Sequence, residues 1–274
     1  MKNIIKLFLI GLITVGTFQF ADAKEPTTSG KPDKGDRDDF LELRVDCAQA
    51  TESTDMEINN VRARLWTGGD IWWDRRNGRY VVPKPPVGSG IEEVSSLFAG
   101  GVWLGGLDPN GNLKLAASTY PSNSNSDYYP GPLDEGTGQI AATECLQWDE
   151  FFRVDGDNIR RAVRAFDSAM ANETDFTEDS VSADIRFWPG QGNIFFEEEF
   201  EFPLPFTSAG LGNFWDESAD GIYNPELGDF PIIDIRGCEP ATRAEALELV
   251  PDEMIFWIYN DWKITQLWII YSIS

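Results

Sequence analysis

The stretch SLFAGGVWLGGLDPNGNLKLAAS, residues 96 to 118, decides the fold. Gly100-Gly101 and Gly105-Gly106 flank the apolar run Val102-Trp103-Leu104, and Asp108-Pro109-Asn110-Gly111 stands before Leu113 to Ser118. Asp, Pro, Asn and Gly between two apolar runs predict a tight turn joining antiparallel strands. The paired glycines predict a bulge, or strands lying close against another backbone.

The neighbouring segments read the same way. Asn60 to Trp66 alternates, with Val61, Ala63 and Leu65 on one face and Arg62, Arg64 and Trp66 on the other. Phe40 to Val45 alternates as a half-exposed strand does. Asp74 to Arg79 turns the chain into the strand Tyr80-Val81-Val82, and Pro83 to Gly90 is a Pro/Gly loop. Tyr120 to Gly138 reads as a long aromatic-bearing loop, and Phe195 to Phe202 as an exposed strand with glutamates on one face. Met254 to Ile273 is broken by Asn260, Asp261, Lys263, Thr265 and Gln266, which makes it one or two strands rather than a membrane span. Two helices are expected, one capped by Asp157 and running to about Met170, the other opened by a Thr242/Glu245 capping box before Pro251. The expected fold is mainly β, with sandwich-like antiparallel sheets, two short helices and long loops.

Before this domain, assigned to residues 40–274, lie two segments of different character. Lys2 and Lys6, the apolar run Ile4 to Val15, and Ala21-Asp22-Ala23 form a signal-peptide pattern over residues 1–23. Lys24 to Asp39 is polar, charged and almost free of apolar residues, as a flexible leader is. Export is therefore expected, to the cell surface or the medium.

Composition narrows the chemistry. The formal charge is −24, which repels nucleic acid and anionic membrane surfaces and favours divalent cations. With no histidine in the chain, the commonest general base and every His-containing triad are excluded. No catalytic constellation remains, and a non-enzymatic role is expected. Glu197-Glu198-Glu199 is better read as a solvated face than as an acid pair. The cysteines are Cys47, Cys145 and Cys238. One disulfide suits an oxidising compartment, and the pairing expected is Cys145 with Cys238, since Cys47 adjoins the polar leader.

The sharpest local motif is DESADGIYNPELGD, residues 216 to 229. Side-chain oxygens at Asp216, Ser218 and Asp220, with Gly221 at the sixth position for a sharp turn, follow the spacing of a calcium loop. Asn224 would follow a backbone carbonyl near Ile222. The twelfth position is Leu227, so Glu226 or Asp229 would have to close the site. The same residues also build turns that bind nothing. Trp72, Trp73 and Trp215 are candidates for stacking on a sugar face, which makes a glycan-binding or glycan-degrading module the alternative reading. Aromatic residues are equally at home in β cores.

Several stretches together resemble a known group. EINNVRARLWTGGDIWWD (57–74), SLFAGGVWLGGLDPNGNLKLAASTY (96–120), DYYPGPL (127–133), ATECLQWDEFF (142–152) and DGIYNPELGDFP (220–231) resemble the N-terminal region of large exported proteins of Bacteroidota. Those proteins usually end in a type IX secretion sorting domain. The resemblance implies a secreted or cell-surface structural or interaction protein, with the type IX machinery and a surface protein or glycan as partners. It also implies a structural calcium loop at Asp216, Ser218 and Asp220, where Ser218 replaces a more usual Asp. After MIFWIYND (254–261) the present chain departs from that group, ending in WKITQLWIIYSIS (262–274). A truncated reading frame is expected to look like this, and loss of the sorting signal would leave the protein periplasmic.

Overall fold

The computed structural model describes residues 47–107, 110–118, 126–208, 210–233, 240–261 and 268–273. The signal and leader segments and the strand expected at Phe40 to Val45 lie outside these residues. In chain order, β1 (Ser53–Met56), β2 (Arg62–Trp66), β3 (Tyr80–Val81) and β4 (Ser95–Leu97) form one antiparallel sheet in that order. β5 (Trp103–Leu107) and β6 (Leu113–Ala117) form the hairpin that residues 96 to 118 predict. After β7 (Tyr129–Pro130) come α1 (Ala142–Gln147), β8 (Phe152–Asp155), α2 (Gly156–Ala171), α3 (Ala183–Arg186) and α4 (Phe196–Phe200). β9 (Phe214–Trp215) pairs with β10 (Phe230–Pro231), and α5 (Arg243–Glu248) leads into β11 (Glu253–Asn260) and β12 (Trp268–Ile273). The chain is mainly β. Its strands are spread over four antiparallel sheets among the described residues, and the helices number five rather than two.

β11 organises the molecule. β12 runs along one of its edges, while β7 and β8 share the other. All eight of its residues are buried, so both faces of the strand must pack. Successive side chains point to opposite faces. Met254, Phe256 and Ile258 enter a large core built with α2, α3, α4 and β8, whereas Ile255, Trp257 and Tyr259 enter a smaller one with Leu65, Ala116 and Tyr128. Each such burial removes apolar surface from water and contributes about 1.5–3 kcal/mol.

The larger core is aromatic. Trp148, Phe152, Phe200 and Phe202 surround Phe196, with the Phe196 and Phe200 ring centroids 4.5 Å apart. This corrects the expected strand at Phe195 to Phe202. The sequence FFEEEFEF satisfies both a two-residue and a helical period. The helix wins because Phe196 and Phe200, four residues apart, face one core together. Glu197, Glu198 and Glu199 stay in solvent. Glu201 then takes a left-handed conformation (φ 61°) that returns Phe202 to the core.

α2 begins slightly earlier than expected. Its cap is Asp155, whose carboxylate accepts hydrogen bonds from the backbone N–H of Asp157 (2.7 Å) and Asn158 (3.2 Å). Gly156 opens the helix because a Cβ there would lie 1.8 Å from the Pro251 carbonyl oxygen. The expected α5 cap is in place: the Thr242 hydroxyl accepts from Glu245 N, and the Glu245 carboxylate accepts from Ala241 N. No helix among the described residues is long and apolar enough to cross a membrane.

Candidate functional site

The acidic loop between β9 and β10 folds around its own carboxylates. Asp216 accepts from the Ser218 hydroxyl (3.2 Å) and from the backbone N–H of Asp220 (3.3 Å) and Gly221 (2.7 Å). Gly221 makes the sharp turn at φ 79°, where a side chain would be strained. Asp220 accepts from Ile222 N (2.8 Å), which tightens the next bend. Tyr223 anchors the loop from below, fully buried, with its hydroxyl donating to the Ile185 carbonyl at 2.7 Å.

Asp229 closes the loop. It is 3 % exposed, and its two oxygens accept from Glu217 N and Asn224 N, both at 2.8 Å. Burial pushes its carboxyl up to about 6; the two N–H donors oppose that shift, and the negative charges of Asp216 and Asp220 reinforce it. The other two candidate ligands serve elsewhere. The Asn224 side chain caps the short helical turn Pro225–Leu227 by accepting from Glu226 N, and Glu226 pairs with Arg186 at 3.0 Å. Among the described residues, no three Asp, Glu, His or Cys side chains form a group that could hold a metal ion. The first half of the loop thus offers the hard oxygen donors that calcium takes. In the second half, only Asp229 turns back toward the loop.

The three candidate tryptophans do not form one platform. Trp73 is buried, 2 % exposed, and its carbonyl accepts from the Trp66 indole N–H at 2.8 Å, so no sugar can stack on it from solvent. Trp215 packs against the large core, and its indole donates to Glu217 at 2.9 Å. Trp72 stands apart at φ 71° and meets Tyr80 edge to face. It forms one wall of an apolar pocket of about 190 Å³ shared with Gly69, Ile71, Gly100, Val102, Trp257 and Tyr259. Of the two outcomes expected of Gly100-Gly101, a bulge or a close backbone approach, Gly100 takes the second by exchanging two backbone hydrogen bonds with Ile71. The pocket itself is not legible in the sequence, because Trp257 and Tyr259 come from a strand far along the chain.

The disulfide expected between Cys145 and Cys238 is replaced by one between Cys47 and Cys145, with Cα atoms 5.8 Å apart. Cys238 lies outside the described residues. The chain after Cys47 is drawn to Cys145 by local hydrogen bonds. Asp149, just beyond α1, accepts from Thr51 N (2.9 Å), the Thr51 hydroxyl (2.8 Å) and Glu52 N (3.3 Å). Adjacency to the leader therefore did not keep Cys47 away from the core.

No family model matches this chain, and neither does any curated protein or solved structure.

Proposed function

We propose that this is an exported cell-surface or extracellular interaction protein without catalytic activity, stiffened by calcium at the Asp216–Asp229 loop. The observation that carries the interaction role is the β5–β6 hairpin, whose outer face is apolar and open. Trp103, Leu107, Leu113 and Leu115 are 66, 72, 71 and 45 % exposed. A monomer gains nothing from leaving such a face in water, and apolar patches of this kind mark binding surfaces. Export is supported by the N-terminal signal pattern and by a disulfide that an oxidising compartment would preserve. The resemblance to exported Bacteroidota proteins supports the same placement, with the type IX machinery as the partner in export.

Calcium would be held by Asp216, Ser218 and Asp220, with Asp229 closing the loop. A divalent cation there would offset the negative charges of Asp216 and Asp220, which add to the burial that raises the Asp229 carboxyl. Its role would be structural, joining the two ends of the loop. The test is a thermal melt in millimolar calcium against chelator, for the wild type and Asp216→Ala. Calcium at a hundred times its dissociation constant stabilises by about 2.7 kcal/mol, so the wild type should melt several degrees higher and the variant should not respond. Equal wild-type melting temperatures would remove calcium and leave the interaction role standing. Recovery of the protein outside the cytoplasm, beginning at Lys24, tests export separately.

A further inference from the structure

We infer that the hairpin accepts an extended, uncharged segment of another polypeptide, added as a strand beside β5 with one aromatic side chain seated in the apolar pocket beneath. This rests on the interaction role proposed above and names the chemistry of the partner.

The hairpin's own periodicity sets its two faces. Trp103, Gly105 and Leu107 lie opposite Ala117, Leu115 and Leu113, so these six share one face. The alternate residues Leu104 and Ala116 turn inward to the smaller core. Among the described residues, β5 pairs only with β6, and no described strand lies along its other edge. Open edges in stable monomers are guarded by charges, proline or covering segments. Here no charged residue occurs from Val94 to Leu107, in a chain whose formal charge is −24. An apolar, uncharged strand loses no ionic hydration on docking there, whereas a charged one would.

The pocket supplies the specificity that an edge alone lacks. Its wall includes Val102, the residue immediately before β5, and its floor includes Trp257 and Tyr259 of β11. A strand added beside β5 must alternate its side chains between the outer face and this inner side. About 190 Å³ of apolar space suits one aromatic ring, since a dry cavity of about 150 Å³ already takes benzene. The wall is held in an unusual geometry: Trp72 has a positive φ, and its ring lies 2.8 Å from where a Cβ on Gly100 would stand. Backbone of that kind persists where surroundings enforce it, and it gathers at ligand sites. Edge, apolar face and side-chain pocket are together the parts of recognition by strand addition. A second copy of this chain is a poorer occupant, because two chains that each carry a formal charge of −24 repel as they approach.

The experiment uses the full-length chain and two capped, fluorescein-labelled peptides, TVTFTVT and TVTATVT, read by fluorescence anisotropy. The phenylalanine peptide should bind at least ten times more tightly than the alanine one. Trp103→Lys, which charges the face, and Val102→Phe, which adds bulk to the inward side chain bordering the pocket, should each weaken it at least tenfold. Val102 is half-buried and has the pocket beside it, and the melting temperature of each variant, expected to stay at the wild-type value, checks that both are folded. Equal affinity for the two peptides, no saturable binding, or undiminished binding of the phenylalanine peptide by a folded Val102→Phe would overturn the proposal. So would a concentration-dependent dimer in sedimentation that Trp103→Lys abolishes, since the occupant would then be a second copy. A photo-crosslinker at Leu113 that labels envelope proteins while neither peptide binds would overturn strand addition and spare the interaction role. Loss of both signals would overturn both.

Discussion

The two faces of β11 are packed in opposite styles. On one side, Met254, Phe256 and Ile258 meet a dense set of rings and the buried residues of α2, α3 and α4. On the other, Ile255, Trp257 and Tyr259 meet Leu65, Ala116 and Tyr128, a pocket of about 190 Å³ borders Trp257 and Tyr259, and the covering hairpin exposes its own outer face. One strand thus divides a large aromatic core from a smaller one whose covering hairpin is exposed. Stability comes from filling space to the density of a crystal, whereas binding needs space left unfilled.

The comparison is sharpest at Phe256, whose ring meets Phe152 and Trp188 at centroid distances of 6.1 and 5.9 Å. Phe256→Ala should cost about 4 kcal/mol, from lost transfer energy and the cavity left behind. A urea midpoint that barely moved would show that this side is as loosely filled as the other.

A smaller effect should come from Asp229, which lies among large-core residues such as Tyr223 and Phe230. Its carboxyl is raised to about 6 in the folded protein, above the ordinary value near 4. Between those values the folded chain binds more protons than the unfolded one, so stability falls as pH rises. The contribution is complete below about pH 4 and lost above about pH 6, an effect on the order of 2 kcal/mol. In chelator, the stability difference between wild type and Asp229→Asn should therefore change across that window in the wild type's favour at acid pH. A constant difference would mean that Asp229 is already solvated and that the loop is looser than its hydrogen bonds imply.

The smallest effect is expected on the hairpin face. Leu113→Ser should change stability by less than about 0.5 kcal/mol, because the side chain already lies in water. A loss of 2 kcal/mol or more would mean that another part of the chain covers this face, which would erase the contrast between the two sides.

Local signals were legible wherever one segment carries both its pattern and its reason. The hairpin at 103–117, the alternation of Arg62–Trp66 and the cap at Thr242 are of this kind. FFEEEFEF was not, because its two periods can be separated only by the core that receives Phe196 and Phe200. The candidate loop was legible as far as Gly221, where spacing alone makes the turn. Its second half was not, since Arg186 and the buried position of Asp229 decide where Glu226 and Asp229 go.

From sequence alone followed the β character, the helices near 157–170 and after Thr242, the acidic balance and the absence of histidine, all of which depend on residue type and short-range spacing. The tertiary structure decided that Cys145 pairs with Cys47, that Trp73 is buried, and that Trp72 joins Trp257 at one pocket. Those outcomes depend on which distant segments the fold brings together, and the energy of such meetings is not carried by either segment by itself.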